Sequence, residues 1–396
     1  MGTGRRPQPG NRSPVPATGF GRIRSDGGLP TLANAPNGLK RIRIKDIATR
    51  AGVSTGTVDR VLHQRGEVSV AARSKVNKAL EELGYERNFL ASTLAFNRTY
   101  TIGVLLPFPE TDDYWQAINQ GVIRAQQTLQ HFGLAMQCHY FELANPRHFA
   151  ECANRLLADP PAAFLFAPLF QLEGQELAQR LQAMAVPYLM INSQLPHANA
   201  LCYVGQDAYQ AGFLAGRLLG QAIPTAALPL LLHLDQDAAN APHLQAKAHG
   251  FKAYFTQQGL PQPQVIEREI KHFNSPTELL TTLQAILNEE PKIGGIFVTN
   301  SRAHLVAAAW TASSQPHLPL IGFDPLPANL AALRQGKIHA LIHQHPKAQG
   351  YLGLLTLSDH LLRKATIPPL KLLPLDIVLR ENMDYLDGWD ILVGLV

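Results

Sequence analysis

Polar and aromatic side chains follow the short apolar segments between residues 100 and 345, at the points where those segments would end as β-strands. They are Asp113, Tyr114, Trp115, Phe170, Asn192, Ser193, Gln206, Asp207, Asp235, Asn300, Asp324 and Gln344, and Lys247 lies on a helix-length segment among them. Loops converge in a crevice at the carboxyl ends of parallel strands, so we expect these side chains to meet in one binding site. Carboxylates, amides and a cation can hydrogen bond to vicinal hydroxyl groups while an aromatic face covers the C–H side of a ring. The set therefore suits a carbohydrate or a sugar derivative.

Some of these residues also have a plainer interpretation. Asp207 could only cap the helix that begins at Ala208, and Asp324, which precedes Pro325, could also be an ordinary helix cap. Trp115 could only pack between two lobes of the protein. These alternatives stay open at the level of the sequence.

No catalytic, metal or cofactor motif accompanies the set. The sequence contains no H-E-x-x-H and no Walker glycine loop. His339, His343 and His345 are spaced by four and two residues along a predicted strand, so chance is the simpler account of their proximity. We expect neither enzyme activity nor a bound cofactor or metal. The three cysteines lack the spacing of a zinc or redox site, which favours a reducing cytoplasm.

Nine apolar segments alternate with helix-length segments, from TIGVLLPF at 101–108 to ALIHQH at 340–345. Apolar strands separated by helices indicate parallel sheets covered on both faces, which is an α/β fold. Nine strands favour two lobes. We predict an effector-binding domain at 99–396, with lobe 1 at 99–222 and 347–365 and lobe 2 at 225–345. No segment approaches the length that spans a membrane, so we expect no membrane partner.

The segment from Ile44 to Gly84 predicts three short helices instead. Apolar positions recur at helical spacing, Gly52 breaks the first helix, and Ser54 caps the second. Two helices joined by a tight turn, with a third closing the core, make an all-α helix-turn-helix domain at 42–86, a fold that reads DNA.

The distribution of charge also favours a nucleic-acid partner. Residues 1–100 carry 17 Lys and Arg against 7 Asp and Glu, whereas residues 101–396 carry 18 against 23. Basic side chains that neutralise phosphates release counterions and so strengthen binding to DNA. A merely solvated basic tail remains the alternative. Residues 1–40 are rich in Gly, Pro, Arg and Ser without apolar periodicity, which predicts a disordered extension.

Position by position, the sequence resembles the lactose-repressor (LacI) family over about residues 42–385. The motifs that carry the resemblance are IKDIA at 44–48, AGVS at 51–54, TVDRVL at 57–62 and LGY at 83–85. The resemblance implies a second helix in the major groove, with Thr55, Gly56 and Arg60 facing base edges and with Ser54, Thr57 and His63 at phosphate or register contacts. Gly56 and Asp59 depart from the usual pattern, so the operator sequence is not implied. Helix capping is the alternative for Thr55 and Thr57, and a solvated charge for Arg60.

The resemblance extends to a linker at 87–98. In the family such a linker folds on DNA into a hinge helix, and a leucine matched here by Leu94 wedges into the minor groove. Arg87 replaces a proline that is common in the family. Packing against another part of the protein is the alternative for Leu94.

The body resembles the type I periplasmic-binding-protein-like fold of the same family, in which a ligand lies between two lobes. Asp207, Lys247, Asn300, Asp324 and Gln344 match family ligand positions, although Lys247 stands where arginine is usual. The resemblance implies a homodimeric repressor that binds double-stranded operator DNA, and a sugar-like effector that changes lobe closure and thereby operator affinity. A transport or chemotaxis sugar-binding protein would explain the body alone, and an enzyme would explain neither part.

Overall fold

The fold was analysed in a computed structural model of the 396-residue chain, which describes residues 43–63, 67–83, 99–257, 265–311 and 317–388. Contacts divide the chain into two compact units, residues 1–87 and residues 88–396. Residues 1–40, the predicted linker at 87–98 and Leu94 within it lie outside the described residues.

Three helices form the first unit: α1 (Ile44–Ala51), α2 (Thr55–His63) and α3 (Val70–Glu82). Their buried apolar side chains are Ile47, Ala48, Ala51, Val58, Val76 and Ala79. Burial of one stripe from each helix holds the unit together, because helices this short are marginal on their own. The predicted helix-turn-helix fold is confirmed.

The turn between α1 and α2 depends on Gly52. Its φ of 65° lies in the left-handed region, and its N–H donates to the carbonyl of Ala48, which ends α1. Ser54 then begins α2, because its Oγ accepts from the Thr57 N–H at 3.1 Å. The two helices are therefore fixed by one glycine and one cap.

The second unit contains two six-stranded sheets. The sheet of lobe 1 has the order β2-β1-β3-β4-β5-β11, and all of its strands are parallel. Its strands are β1 (Tyr100–Pro107), β2 (Leu134–Phe141), β3 (Ala163–Phe166), β4 (Tyr188–Ile191), β5 (Cys202–Gly205) and β11 (Leu370–Leu372). The helices α4 (Asp113–Leu129), α5 (Pro146–Leu157) and α6 (Gln171–Ala183) connect them in turn.

The sheet of lobe 2 repeats this order as β7-β6-β8-β9-β10-β12, with β12 antiparallel to β10. Its strands are β6 (Leu228–His233), β7 (Ile266–Glu269), β8 (Ile293–Val298), β9 (Leu320–Phe323), β10 (Ala340–His343) and β12 (Asp376–Val378). Five helices complete this part of the chain: α7 (Ala208–Ala222), α8 (Pro242–Gln257), α9 (Pro276–Glu289), α10 (Ala303–Thr311) and α11 (Pro327–Arg334). The predicted two-lobed α/β fold is confirmed.

The boundary between the lobes differs from the predicted division between residues 222 and 225. Helix α7 follows β5 of lobe 1, but its residues Ala211, Ala215 and Leu219 pack with Leu231 and Phe297 of lobe 2. The chain thus crosses between lobes just after Gly205. The predicted division followed the proline-containing loop after α7, whereas the apolar face of α7 decides which sheet it covers.

The chain crosses between lobes twice more near its carboxyl end. Helix α12 (Pro346–Ser358) returns to lobe 1, where Leu354 and Leu357 are in the core. The chain continues as β11 in lobe 1, beyond the predicted end of that lobe at 365, and then as β12 in lobe 2. Three crossings therefore join the lobes, and lobe closure must bend all three.

Two pairs of helices approach closely through glycine. A Cβ on Gly212 of α7 would collide with the backbone of Lys247 on α8, and one on Gly250 of α8 would collide with the backbone of Tyr209. Gly121 of α4 stands in the same relation to α12. The first pair fixes the helix that carries Lys247 against the lobe 2 sheet.

No helix among the described residues is both long enough and apolar enough to cross a membrane.

Candidate ligand-binding cleft and DNA-contact surface

A cavity of about 70 Å³ lies between the carboxyl ends of the strands of the two lobes, and we call it the inner cavity. Eight of the thirteen residues expected at this site line it, namely Tyr114, Trp115, Phe170, Asn192, Asp235, Lys247, Asn300 and Gln344, whereas Ser193 and Gln206 do not. These side chains come from both lobes. Most of the side chains expected at the carboxyl ends of the strands therefore lie in one place, although their role in ligand binding stays a prediction.

Aromatic rings form the lobe 1 side of the inner cavity. Tyr114 and Trp115, at the start of α4, meet edge to face with their ring centroids 5.3 Å apart. Phe170 precedes α6 and packs on Phe141 and Phe149, with centroids 6.1 and 6.0 Å away. These rings offer an apolar wall that can cover the C–H face of a ligand ring.

The hydroxyl group of Tyr114 is held in a network of amides. It accepts from Asn192 Nδ2 at 2.8 Å and from Gln349 Nε2 at 3.2 Å, and burial raises its pKa well above the usual value. Asn192 has a left-handed φ of 65°, and its Oδ1 is buried without a hydrogen bond from any described residue. A buried acceptor without a donor is costly, so this oxygen is suited to receive a ligand hydroxyl.

Lys247 is the central cation of the lobe 2 side. Its side chain is 2% exposed, and its Nζ donates to Gln344 Oε1 at 2.9 Å and to the carbonyl of Thr299 at 3.1 Å. Nζ also stands 3.8 Å from the ring centroid of Phe323. Burial lowers the pKa of Lys247 to about 7, although the carboxylate of Asp324 raises it in part. An ammonium group has three donors, so one remains for a ligand.

Asp324 does not line the inner cavity, which corrects its predicted place. It is fully buried behind the wall, where its carboxylate accepts from Ser301 Oγ at 2.5 Å and from Gln344 Nε2 at 2.6 Å. Burial raises the pKa of this carboxyl. Its left-handed φ of 62° turns the chain after β9 so that the side chain points to these two donors. Asp324 therefore orients Ser301 and Gln344, which do line the cavity.

Asp113 and Asp207 are also absent from the wall of the inner cavity. Asp113 is an exposed residue in the first turn of α4, and the preceding residue, Asp112, faces the cavity instead. Asp207 caps α7 by accepting from the Gln210 N–H at 2.9 Å, which is the plainer interpretation of that residue. The position of a strand end in the sequence locates a site residue to within one residue. The geometry of the helix cap then decides which of two neighbouring carboxylates faces the cavity.

The sequence analysis missed Asp112, Asp237, His243 and Arg302, which all line the inner cavity. Asp112 caps α4, since its Oδ1 accepts from the Tyr114 N–H at 3.0 Å, but in the sequence the adjacent Asp113 is an equally good cap. Arg302 follows Asn300 by two residues and reaches Asp112 of the other lobe at 3.3 Å. His243 lies one helical turn before Lys247, and burial together with the Lys247 charge lowers its pKa to about 3.

In the first unit, the predicted base-facing residues lie at the surface of α2. Thr55, Gly56 and Arg60 are all exposed, whereas Val58, which lies between them in the sequence, is fully buried. The hydroxyl groups of Ser54 and Thr57 are 2.9 Å apart, so each has a partner within the helix cap. His63 is the last residue of α2, and its side chain lies outside the described residues.

Two family models match the chain. Residues 102–365 match the periplasmic binding protein domain, and residues 43–88 match the bacterial regulatory proteins of the lacI family. The regulator RegA of Clostridium saccharobutylicum is 50% identical over 64 residues, which are 16% of this chain and 19% of RegA. The chain thus spans about a fifth of the length of that curated relative.

Solved structures resemble the second unit. A protein from Bacteroides fragilis, assigned as a LacI transcriptional regulator, superposes with a TM-score of 0.67 at 23% identity, over 73% of this chain and 99% of that one. A solute-binding protein of an ABC transporter from Agrobacterium vitis, bound to α-D-tagatopyranose, gives 0.64 at 18% identity, over 74% and 98%. At these identities the likeness shows the fold. The chain therefore belongs to the periplasmic binding protein domain family, and it carries a LacI-family regulatory domain ahead of that domain in the sequence.

Proposed function

We propose that this protein is a transcriptional repressor whose affinity for operator DNA is controlled by a sugar-like effector bound in the inner cavity. The observation that carries the proposal is the presence, in one chain, of a LacI-family helix-turn-helix unit and a two-lobed domain with a polar cleft. A transport protein has no use for the first unit. The helix-turn-helix unit therefore favours regulation over transport.

The DNA contacts proposed here come from α2 and the linker. Thr55, Gly56 and Arg60 face the base edges, and the exposed guanidinium of Arg60 can donate two hydrogen bonds to one guanine. Ser54, Thr57 and His63 hold the register on the phosphates. Leu94 enters the minor groove as an apolar wedge, as it does in the family that the linker resembles.

The effector contacts proposed here surround one small ring. Trp115 and Phe170 cover its C–H face, while Asn192, Lys247, Asn300 and Gln344 hydrogen bond to its hydroxyl groups. The sugar held by the Agrobacterium vitis protein of the same fold supports this class of ligand. Asp324 is assigned a supporting role through Gln344 rather than a contact.

Coupling between the two functions follows from the two lobes. An effector that contacts both lobes favours their closure, and closure changes the spacing of two linkers in a homodimer on a palindromic operator. Such coupling is reciprocal. Bound operator must therefore lower the affinity for the effector by the same factor by which bound effector lowers the affinity for the operator.

Selection of DNA from a random duplex pool by the full chain tests the DNA-binding part. We expect enrichment of a palindromic sequence of two half-sites, bound with strong salt dependence. A pool that shows no enrichment after repeated rounds would contradict sequence-specific binding.

A further inference from the structure

A second cavity of about 320 Å³ adjoins the inner cavity, and we call it the outer cavity. Lobe 1 contributes Phe108, Glu142 and Ala144 to it, and lobe 2 contributes Gln236, Phe273 and Asn274. Asp112, Leu143, Asp235 and Arg302 line both cavities. The two spaces therefore meet along a shared wall between the lobes.

An ion pair between the lobes stands in this shared wall. Arg302 Nη2 is 3.3 Å from Asp112 Oδ2, and both side chains are less than one-fifth exposed. Arg302 also donates through Nη1 to the carbonyl of Leu234 at 3.1 Å. The pair is thus held at a fixed place at the junction, where it can hydrogen bond to a group that passes from one cavity to the other.

The outer cavity has the composition of a carbohydrate subsite. Phe108 and Phe273 approach it from opposite lobes, and the Arg302 guanidinium lies 5.0 Å from the Phe273 ring centroid. Glu142, Gln236 and Asn274 add carboxylate and amide groups to the lining. Aromatic rings can cover the C–H faces of a sugar ring and polar groups can bind its hydroxyls, as in the inner cavity.

We propose that the effector is a disaccharide, with one ring in the inner cavity and the second ring in the outer cavity. The glycosidic linkage lies beside Asp112 and Arg302, so the ligand contacts both lobes at two places. This inference rests on the proposed function, because it specifies the size of the effector that the cleft accepts. It adds a subsite that shares only Asp235 with the residues expected at the strand ends.

Calorimetric titration of the full chain distinguishes the possibilities. The probes are glucose, galactose, fructose and ribose, and the disaccharides maltose, lactose, cellobiose, sucrose and trehalose. We expect at least one disaccharide to bind roughly tenfold or more tightly than either of its own monosaccharides. A monosaccharide that binds as tightly as every disaccharide containing it would overturn the outer subsite and leave the proposed function intact. Absence of binding by every sugar would overturn both.

A filling substitution tests the position of the second ring. Ala144 is exposed in the turn after β2 and lines the outer cavity, so Ala144→Trp should remove the disaccharide advantage while leaving monosaccharide binding unchanged. Ala183→Trp, at an exposed alanine at the end of α6, is the matched control and should change neither affinity. Phe108→Ala should lower disaccharide affinity alone by roughly tenfold. Equal losses for both ligand sizes in Ala144→Trp would contradict the assignment.

Discussion

Lys247 shows how burial can make a single cation sensitive to pH. Its ammonium group is surrounded by Phe323, Gln344 and the carbonyl of Thr299, and its pKa falls to about 7 because the charged form is poorly solvated there. Asp324 stands near but does not bond to it directly, since Gln344 accepts from Lys247 and donates to Asp324. The cleft therefore holds a lysine that changes charge near neutral pH.

This lowered pKa makes the stability of the fold depend on pH. In the unfolded chain a lysine stays protonated up to about pH 10.4, whereas in the fold Lys247 loses its proton above about pH 7. The unfolded chain therefore holds more protons between these values, and rising pH favours the fold. Urea unfolding should show wild type gaining roughly 2 kcal/mol over Lys247→Met between pH 7 and pH 9.

The control for this experiment is Lys292→Met, at an exposed lysine. It should follow the wild-type pH dependence throughout. Below pH 6 the difference between wild type and Lys247→Met should be constant, because Lys247 is then protonated in both states. A difference that stays constant from pH 6 to pH 9 would contradict the lowered pKa.

Arg60 carries the clearest prediction about DNA. Because the Arg60 side chain is exposed one helical turn after Gly56, Arg60→Ala should remove preference at one base pair, about 1–3 kcal/mol, and keep most salt-dependent binding to random DNA. Competitive titration of operator and random duplexes measures the sequence preference and the non-specific binding separately. An equal loss on both duplexes would mean that Arg60 contacts only phosphate.

For individual site residues, the sequence predicted which residue types lie near the cavity better than it predicted which side chains face it. Asn192, Lys247 and Gln344 line the inner cavity because each follows or faces a strand end. Asp113 was predicted in place of Asp112, because the sequence does not reveal which of two adjacent carboxylates caps α4 and which points to solvent. Such choices depend on backbone dihedral angles that only the assembled loop fixes.

At the level of secondary structure, the turn between α1 and α2 sets the geometry of the first unit. Gly52 adopts a φ of 65°, so Gly52→Ala should cost about 1–2 kcal/mol of the stability of this unit. Gly56 is the second residue of α2, and a Cβ there would meet Ser54 Oγ at an ordinary contact distance of 3.8 Å, so Gly56→Ala should stabilise the helix by about 0.5–1 kcal/mol.

Hydrogen exchange of the α1 and α2 amides in the DNA-free full chain measures both effects. Protection should fall in Gly52→Ala and rise in Gly56→Ala. The two glycines are four residues apart, so each serves as the control for the other. Loss of protection in both variants would contradict this explanation, because it would show that replacing either glycine destabilises the helices whatever its backbone conformation.

The sequence predicted strongly apolar elements and missed weak ones. Strand β7, with the sequence IERE, and the three-residue strands β11 and β12 carry little apolar signal. They pair at the sheet edges. There, backbone hydrogen bonds to a neighbouring strand, rather than burial of apolar side chains, make the segment a strand. Helix α7 was recognised as a helix, but its assignment to a lobe required the tertiary contacts of Ala211, Ala215 and Leu219.

At the scale of the second unit, contacts across the cleft hold the two lobes together in this structure. The Asp112–Arg302 ion pair is one, and Asn240 Oδ1, which accepts from the backbone N–H groups of Gln171 and Leu172 at 2.9 and 3.3 Å, is another. Both join lobe 1 to lobe 2. These two contacts therefore bridge the lobes.

Asp112→Asn should loosen this bridge while keeping the helix cap, because the amide oxygen can still accept from the Tyr114 N–H. Loss of the charge should shift the lobes toward an open form by about 1 kcal/mol, which small-angle scattering of the full chain detects as a larger radius of gyration. Asp113→Asn changes the neighbouring exposed carboxylate and should leave the scattering unchanged. Identical curves for the two variants would contradict a bridging role.

A titration of operator DNA measures whether the bound ligand controls DNA binding. The full chain is titrated with its selected operator, with and without a saturating sugar identified by calorimetry, at one salt concentration. We predict that the sugar weakens operator binding by roughly 5- to 150-fold, and that the operator weakens sugar binding by the same factor. Operator affinities that agree within error in the presence and absence of the bound sugar would contradict the account.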